Sequence, residues 1–148
     1  MAEPRPRVRT VLTVMRQTTR VMVDELVGRL HGAGYDDITA AHQSVFENID
    51  PDGTRLTALA ERSGMTHQSM GELIHALERG GYLQRLDDPN DRRARVIVLT
   101  KRGRDLVRCA IAEIAEIDAS WHQAFEEAGH NVDLRLLLET ALRAHTTS

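Results

Sequence analysis

The 148-residue chain holds a single cysteine, Cys109, so no disulfide can form within it and no cysteine cluster can bind metal. That usage suits a reducing, cytoplasmic setting. Aromatic residues make up only 3% of the chain, too few for a platform on which bases stack. No apolar run approaches the roughly 18 residues that a membrane-spanning helix requires, which argues against a membrane partner. The opening MAEPRPRVRT lacks the apolar stretch of a secretory leader. Net charge is also scarce, at −3, and taken alone names no partner. What remains is an ordinary globular composition, 41% hydrophobic and 28% charged, long enough for one domain with its own core.

The distribution of charge says more than its sum. Residues 1–31 are basic by three charges and residues 32–84 acidic by five. Residues 85–104 are basic by four, with Arg85, Arg92, Arg93, Arg95, Lys101, Arg102 and Arg104 against three aspartates. Residues 105–148 are again acidic by five. A basic island of this kind can bind phosphates whatever the total charge. A solvated surface of mixed sign is the plainer alternative.

Pro4 and Pro6 keep the first residues extended and mobile. Helical spacing of Val8, Val11, Leu12, Met15, Met22, Leu26 and Leu30 predicts a helix over residues 7–30, stopped by Gly32 and Gly34. Thr39 can cap a second helix over residues 40–48. Asp50-Pro51-Asp52-Gly53 is a turn. Thr57 can cap a short helix through Arg62, and Ser63-Gly64-Met65 breaks it. Thr66 caps a longer helix to Arg79, with Met70, Leu73, Ile74 and Leu77 on one face. Gly80-Gly81 ends that helix. A strand over residues 82–86, a polar loop over 87–93 and a β-branched strand over 94–99 make a hairpin. Thr100 caps a long helix carrying Leu106, Ala110, Ile114, Ile117, Trp121 and Phe125. A last amphipathic helix holds Leu134, Leu137, Leu138, Ala141 and Leu142.

A short helix, a glycine turn, a longer helix and then a hairpin describe a winged helix–turn–helix, within a mainly α-helical fold. In such a motif the second helix lays its N-terminal end in the major groove of DNA. Here that end reads Thr66-His67-Gln68-Ser69, four polar residues. Gln matches adenine N6/N7, and Ser and Thr accept either partner. Glu72, one turn on, is equally suited to accept from cytosine N4 or to be a solvent-side helix former. Arg92 and Arg93 sit near the hairpin tip, where an arginine can enter a narrow minor groove, and Arg95 flanks them. Asp88 and Asp91 pair with nearby arginines and shape the loop.

The stretch RLTALAERSGMTHQSMGELIHALERGGYLQRLDDPNDRRARVIVLTKRG resembles the winged helix–turn–helix core of the MarR family of bacterial regulators. It spans residues 55–103, and its most specific piece is DDPNDRRARVIVLTKRG. The resemblance implies a single domain over residues 1–148, with dimerisation helices at 1–34 and 105–148. It implies a homodimeric repressor that binds double-stranded DNA at a pseudo-palindrome and answers to a small anionic or aromatic effector. Asn90 stands where many relatives carry Arg, which passes the minor-groove role to Arg92. Tyr35, His42 and Phe46 fall where the family's effector cleft lies, although ordinary helix packing explains them as well.

No string of the GxxxxGK[ST], HExxH or GxSxG type occurs, which speaks against an enzyme and against a bound cofactor. No two of the seven histidines stand at i, i+4, and no metal site is expected. Cys109 reads as a packed thiol, and the Ile114, Ile117, Trp121, Phe125 stripe as core or dimer seam. A winged helix can also serve as a protein-interaction module without sequence-specific DNA binding, and this is the competing function.

Overall fold

The computed structural model describes residues 9–146, so the expectations placed on Pro4, Arg5, Pro6, Arg7 and Val8 lie outside the described residues. Helix α1 (Val11–Gly32) opens at Thr10, whose Oγ1 accepts from the Thr13 amide at 3.2 Å. The helix thus begins one turn later than the expected residue 7. A 3₁₀ turn (Ala40–His42) leads into α2 (Gln43–Phe46), α3 (Leu56–Arg62) and α4 (His67–Arg79). Strands β1 (Leu83–Asp88) and β2 (Asp91–Leu99) form an antiparallel hairpin. Helices α5 (Lys101–Glu127) and α6 (Leu134–Thr146) complete the described chain. The architecture is mainly helical with one two-stranded wing.

Three local expectations are corrected. The helix expected over residues 40–48 splits in two, because His42 turns its Nδ1 back to accept the Thr39 amide at 3.1 Å. Helix α3 is not capped by Thr57. Thr54 is held in a backbone bridge to Ile97, with N···O distances of 3.0 and 2.9 Å, so the chain leaves strand pairing and turns helical at once, with Arg55 at the N-cap. The hairpin loop is also shorter than expected, since both strands run into it and only Pro89 and Asn90 turn.

The core lies where α1, α2, α3, α4, β1, β2 and the start of α5 meet. Leu30, Val45, Leu59, Met70, Ile74, Leu77, Tyr82, Ile97 and Leu106 are all buried in it. Burial of an aliphatic side chain of this kind stabilises by about 1.5–3 kcal/mol. The spacing of Met70, Ile74 and Leu77 is what faces α4 inward and leaves its other side to solvent. The C-terminal half of α1 packs on α5, where the Arg29 guanidinium bonds both Glu25 (2.9 Å) and Glu113 (3.1 Å). The N-terminal half of α1 is different: Val11 and Leu12 are each 76% exposed. On α6, Leu136, Leu137 and Leu142 are exposed as well.

Candidate nucleic-acid interface

The turn between α3 and α4 is built on Gly64, whose φ of +62° is a conformation that favours glycine. Met65 then donates its amide to the Ala60 carbonyl at 2.9 Å, closing the end of α3. Thr66 starts α4. Its Oγ1 accepts the Ser69 amide at 3.1 Å and donates to Ser69 Oγ at 2.9 Å. Thr66 and Ser69 are thus engaged with each other, and Ser69 is half-buried. His67, Gln68 and Glu72 are exposed, with Gln68 Nε2 donating to Glu72 Oε1 at 3.3 Å. The free amides and positive end of α4 add to a surface suited to a phosphate or a base edge.

The wing carries the other half of the surface. Its register jumps between Asp87, opposite Arg95, and Asp88, opposite Asp91, so Arg92, Arg93 and Ala94 bulge out of the ladder. Asp88 is only 7% exposed. Its Oδ1 accepts the Asn90 amide at 2.8 Å, and its Oδ2 takes Arg55 Nε at 2.8 Å and Arg55 Nη2 at 2.5 Å. The Asn90 amide and the Arg55 guanidinium together hold the Asp88 carboxyl below the usual carboxylate range. Asp91 Oδ1 accepts the Arg93 amide at 3.0 Å, and its Oδ2 lies 3.7 Å from Arg55.

Most cations of the basic island are already occupied. Arg85 pairs with Glu78, Arg95 with Asp87 at 3.2 Å, and Lys101 with Asp105. Arg102 donates to the Tyr82 hydroxyl and Arg104 to the Leu99 carbonyl. Among the described residues, Arg92 and Arg93 are the cations of the island whose guanidinium groups have no partner, and both are exposed. The exposed Arg95–Asp87 pair contributes about 0–1 kcal/mol and can exchange its carboxylate for a phosphate.

Of Tyr35, His42 and Phe46, His42 lines the cavity under α4. His42 is buried beside this cavity of about 350 Å³, which Asp37, Ala76, Leu77, Arg79, Gly80 and Tyr82 also line. Burial keeps its imidazole pKa below the ordinary value, against the pull of Asp37. Tyr35 instead stacks at a tilt on Tyr82, and Phe46 packs against the core. The group that organises this region escapes a reading of the sequence. The Tyr82 hydroxyl donates to Asp37 Oδ1 at 2.5 Å and accepts from Arg102 at 2.9 Å, while the Arg102 guanidinium lies 4.7 Å over the Tyr82 ring. Arg55 escapes it also. No local pattern marks either residue, because the partners stand 45 and 33 positions away.

A second, open groove of about 640 Å³ runs between α5 and α6, walled by Trp121, Phe125, Leu138, Leu142 and Met22. Cys109 is half-buried against the core. Among the described residues no cluster of His, Cys, Asp and Glu could hold a metal ion, and no helix is long and apolar enough to cross a membrane.

The MarR family model matches residues 50–94, from the turn before α3 into the wing. No curated protein matches the chain in sequence. Among solved structures, the transcriptional regulator PA3341 superposes with a TM-score of 0.69 at 26% identity, covering 91% of this chain and 95% of that one. CouR from Rhodococcus jostii RHA1, bound to p-coumaroyl-CoA, gives 0.69 at 20% identity, covering 93% and 91%. A mutant of S. aureus MepR bound to an oligodeoxyribonucleotide gives 0.59 at 19% identity, covering 91% and 93%.

Proposed function

We propose that this chain, whose residues 50–94 match the MarR family model, is a homodimeric, ligand-responsive repressor of transcription. It acts in the cytoplasm on a pseudo-palindromic operator. The observation that carries the DNA-binding part is the pair Arg92 and Arg93, unpaired in a bulge at the end of a wing whose other cations are neutralised. Unneutralised arginines at a protruding loop suit phosphates or a narrow minor groove. Helix α4 supplies the sequence-reading part through His67, Gln68 and Glu72, with Thr66 and Ser69 holding the helix start.

Dimerisation is supported by apolar faces that one chain leaves bare, on α1 (Val11, Leu12, Met15), α5 (Ile111, Ile114) and α6 (Leu136, Leu137, Leu142). Residues 1–34 and 105–148 are therefore read as the dimerisation helices around a 55–103 core. A two-fold dimer presents two reading heads, and half-site symmetry in DNA mirrors symmetry in protein. Ligand response is supported by the cavity beside His42 and by CouR, a protein of similar fold that holds p-coumaroyl-CoA.

The test selects bound duplexes from random DNA and measures affinity for the winner against salt, in the parent and in the Arg92→Ala/Arg93→Ala variant. A symmetric site is expected, with a salt slope that flattens by roughly one unit for each phosphate that the variant no longer neutralises. Failure to enrich any duplex would favour the protein-interaction alternative. An unchanged slope in the variant would remove the wing from the interface.

A further inference from the structure

We propose that Arg55 is the positioning residue of the wing: it ties the two carboxylates of the wing turn to the first residue of the helix–turn–helix, and so sets where Arg92 and Arg93 stand on DNA. The inference rests on the DNA-binding reading above and adds a role that contact with DNA does not require.

The tie has two anchors. The first is backbone. Thr54 bridges Ile97 of β2, which fixes the segment entering α3 to the stem of the wing. The second is the Arg55 side chain, one residue on. Its Nε and Nη2 both reach Asp88 Oδ2, and Nη2 also lies 3.7 Å from Asp91 Oδ2. Each carboxylate in turn holds a backbone amide of the turn, Asp88 that of Asn90 and Asp91 that of Arg93. One guanidinium therefore lies against both carboxylates where Asp88 faces Asp91, at the turn end of the bulge that carries Arg92 and Arg93. Asp88 is 7% exposed, and an unpaired carboxylate so placed would be costly. Without Arg55, Asp88 has reason to turn to solvent, and the turn it organises goes with it. Among the described residues, these two carboxylates are the side chains that hold the bulge by hydrogen bonds.

A direct phosphate contact by Arg55, which is 46% exposed, predicts different behaviour. The two roles give opposite signs for Asp88→Asn. This variant keeps an acceptor for the Asn90 amide, removes a negative charge from the DNA side and frees Arg55. If Arg55 works by touching DNA, Asp88→Asn tightens binding. If Arg55 works through the tie, Asp88→Asn weakens it despite the more favourable charge.

The experiment measures affinity for a labelled random-sequence duplex of about 30 base pairs, which spans both half-sites of a dimer. The parent is compared with Arg55→Gln, Asp88→Asn, Arg92→Ala/Arg93→Ala, and the triple variant with Arg55→Gln added. Arg55→Gln and Asp88→Asn are each expected to weaken binding roughly 3- to 10-fold, in line with coupling within one charge network. In the Arg92→Ala/Arg93→Ala background, Arg55→Gln is expected to change nothing further. Tighter binding by Asp88→Asn, or an additive loss in the triple variant, overturns the positioning role. A second measurement needs no DNA. The Asn90 amide shift is followed by NMR as pH falls, reporting the Asp88 carboxyl that it donates to. Its midpoint is expected to move up in Arg55→Gln, and an unmoved midpoint overturns the tie itself. A midpoint that moves in Arg55→Gln, beside a parent that binds no duplex, would leave the tie standing, sink the role on DNA, and refute the DNA-binding reading separately.

Discussion

Gly103 tests whether the wing is joined to α5 as described. A glycine inside a helix normally costs about 1 kcal/mol against alanine, so Gly103→Ala would raise stability if nothing opposed the methyl. Something does. A Cβ at this position would meet the Tyr82 carbonyl oxygen at 2.1 Å and the Leu99 side chain at 3.2 Å. The first neighbour is backbone, and it is fixed, since that carbonyl also accepts the Thr100 amide at 3.0 Å. Relief requires about 1 Å of movement where β1 begins and β2 hands over to α5. Overpacking of this kind costs about 1–3 kcal/mol or more, which exceeds the benefit in propensity. Gly71→Ala is the control. It lies in α4, where the added methyl meets only Leu56 Cδ1 at 3.7 Å, an ordinary contact. Thermal unfolding followed by circular dichroism is expected to show Gly71→Ala raised by roughly 2–4 °C. Gly103→Ala is expected to fall by roughly as much or more. A Gly103→Ala protein as stable as the parent would mean that Tyr82 does not lie under the first turn of α5.

Three further perturbations follow from the same geometry. Gln68→Ala is expected to cost about 1–3 kcal/mol on the selected duplex and far less on random DNA, because base contacts specify and phosphate contacts position; an equal loss on both would assign Gln68 to the backbone. Tyr82→Phe keeps the buried ring and removes the hydroxyl between Asp37 and Arg102, with an expected loss of about 1–2 kcal/mol of stability in chemical denaturation. No loss there would mean that water replaces the hydroxyl without penalty. His42 is held neutral by burial, with its pKa lowered from 6.5, so the unfolded chain takes up its proton first. Its share of stability is present above pH 6.5 and is lost as pH falls through 6.5 towards the lowered value; His42→Asn, which can still accept the Thr39 amide, is expected to lose less melting temperature between pH 7.5 and 5.5 than the parent.

Where the chain settles its own structure within a turn of helix, its sequence is legible. Thr66 and Thr100 have the residue type and place of caps, and each accepts the amide three residues on. Met70, Ile74 and Leu77 share one face by spacing and are buried as one. Thr57 fails as a cap for a non-local reason. Thr54 is claimed by Ile97, 43 residues later, and that bridge moves the helix start two residues earlier, from a cap at Thr57 to one at Arg55. The candidate site divides in the same way. Residue types that suit DNA stand out from Thr66 to Ser69 and from Arg92 to Arg95, because polarity and charge belong to single residues. Which of them are free does not, since Asp87 neutralises Arg95 and Thr66 occupies Ser69 only once the chain is folded. Helix α6 shows the same division at its widest. Its spacing of Leu134, Leu137, Leu138, Ala141 and Leu142 declares an apolar face, yet none of its residues is buried in the single chain. A pattern of that kind specifies that a surface must be covered and leaves the cover unstated. Within one chain the intended neighbour of α6 is therefore as invisible to the fold as it is to the sequence, and an apolar face this continuous calls for a second surface to meet it.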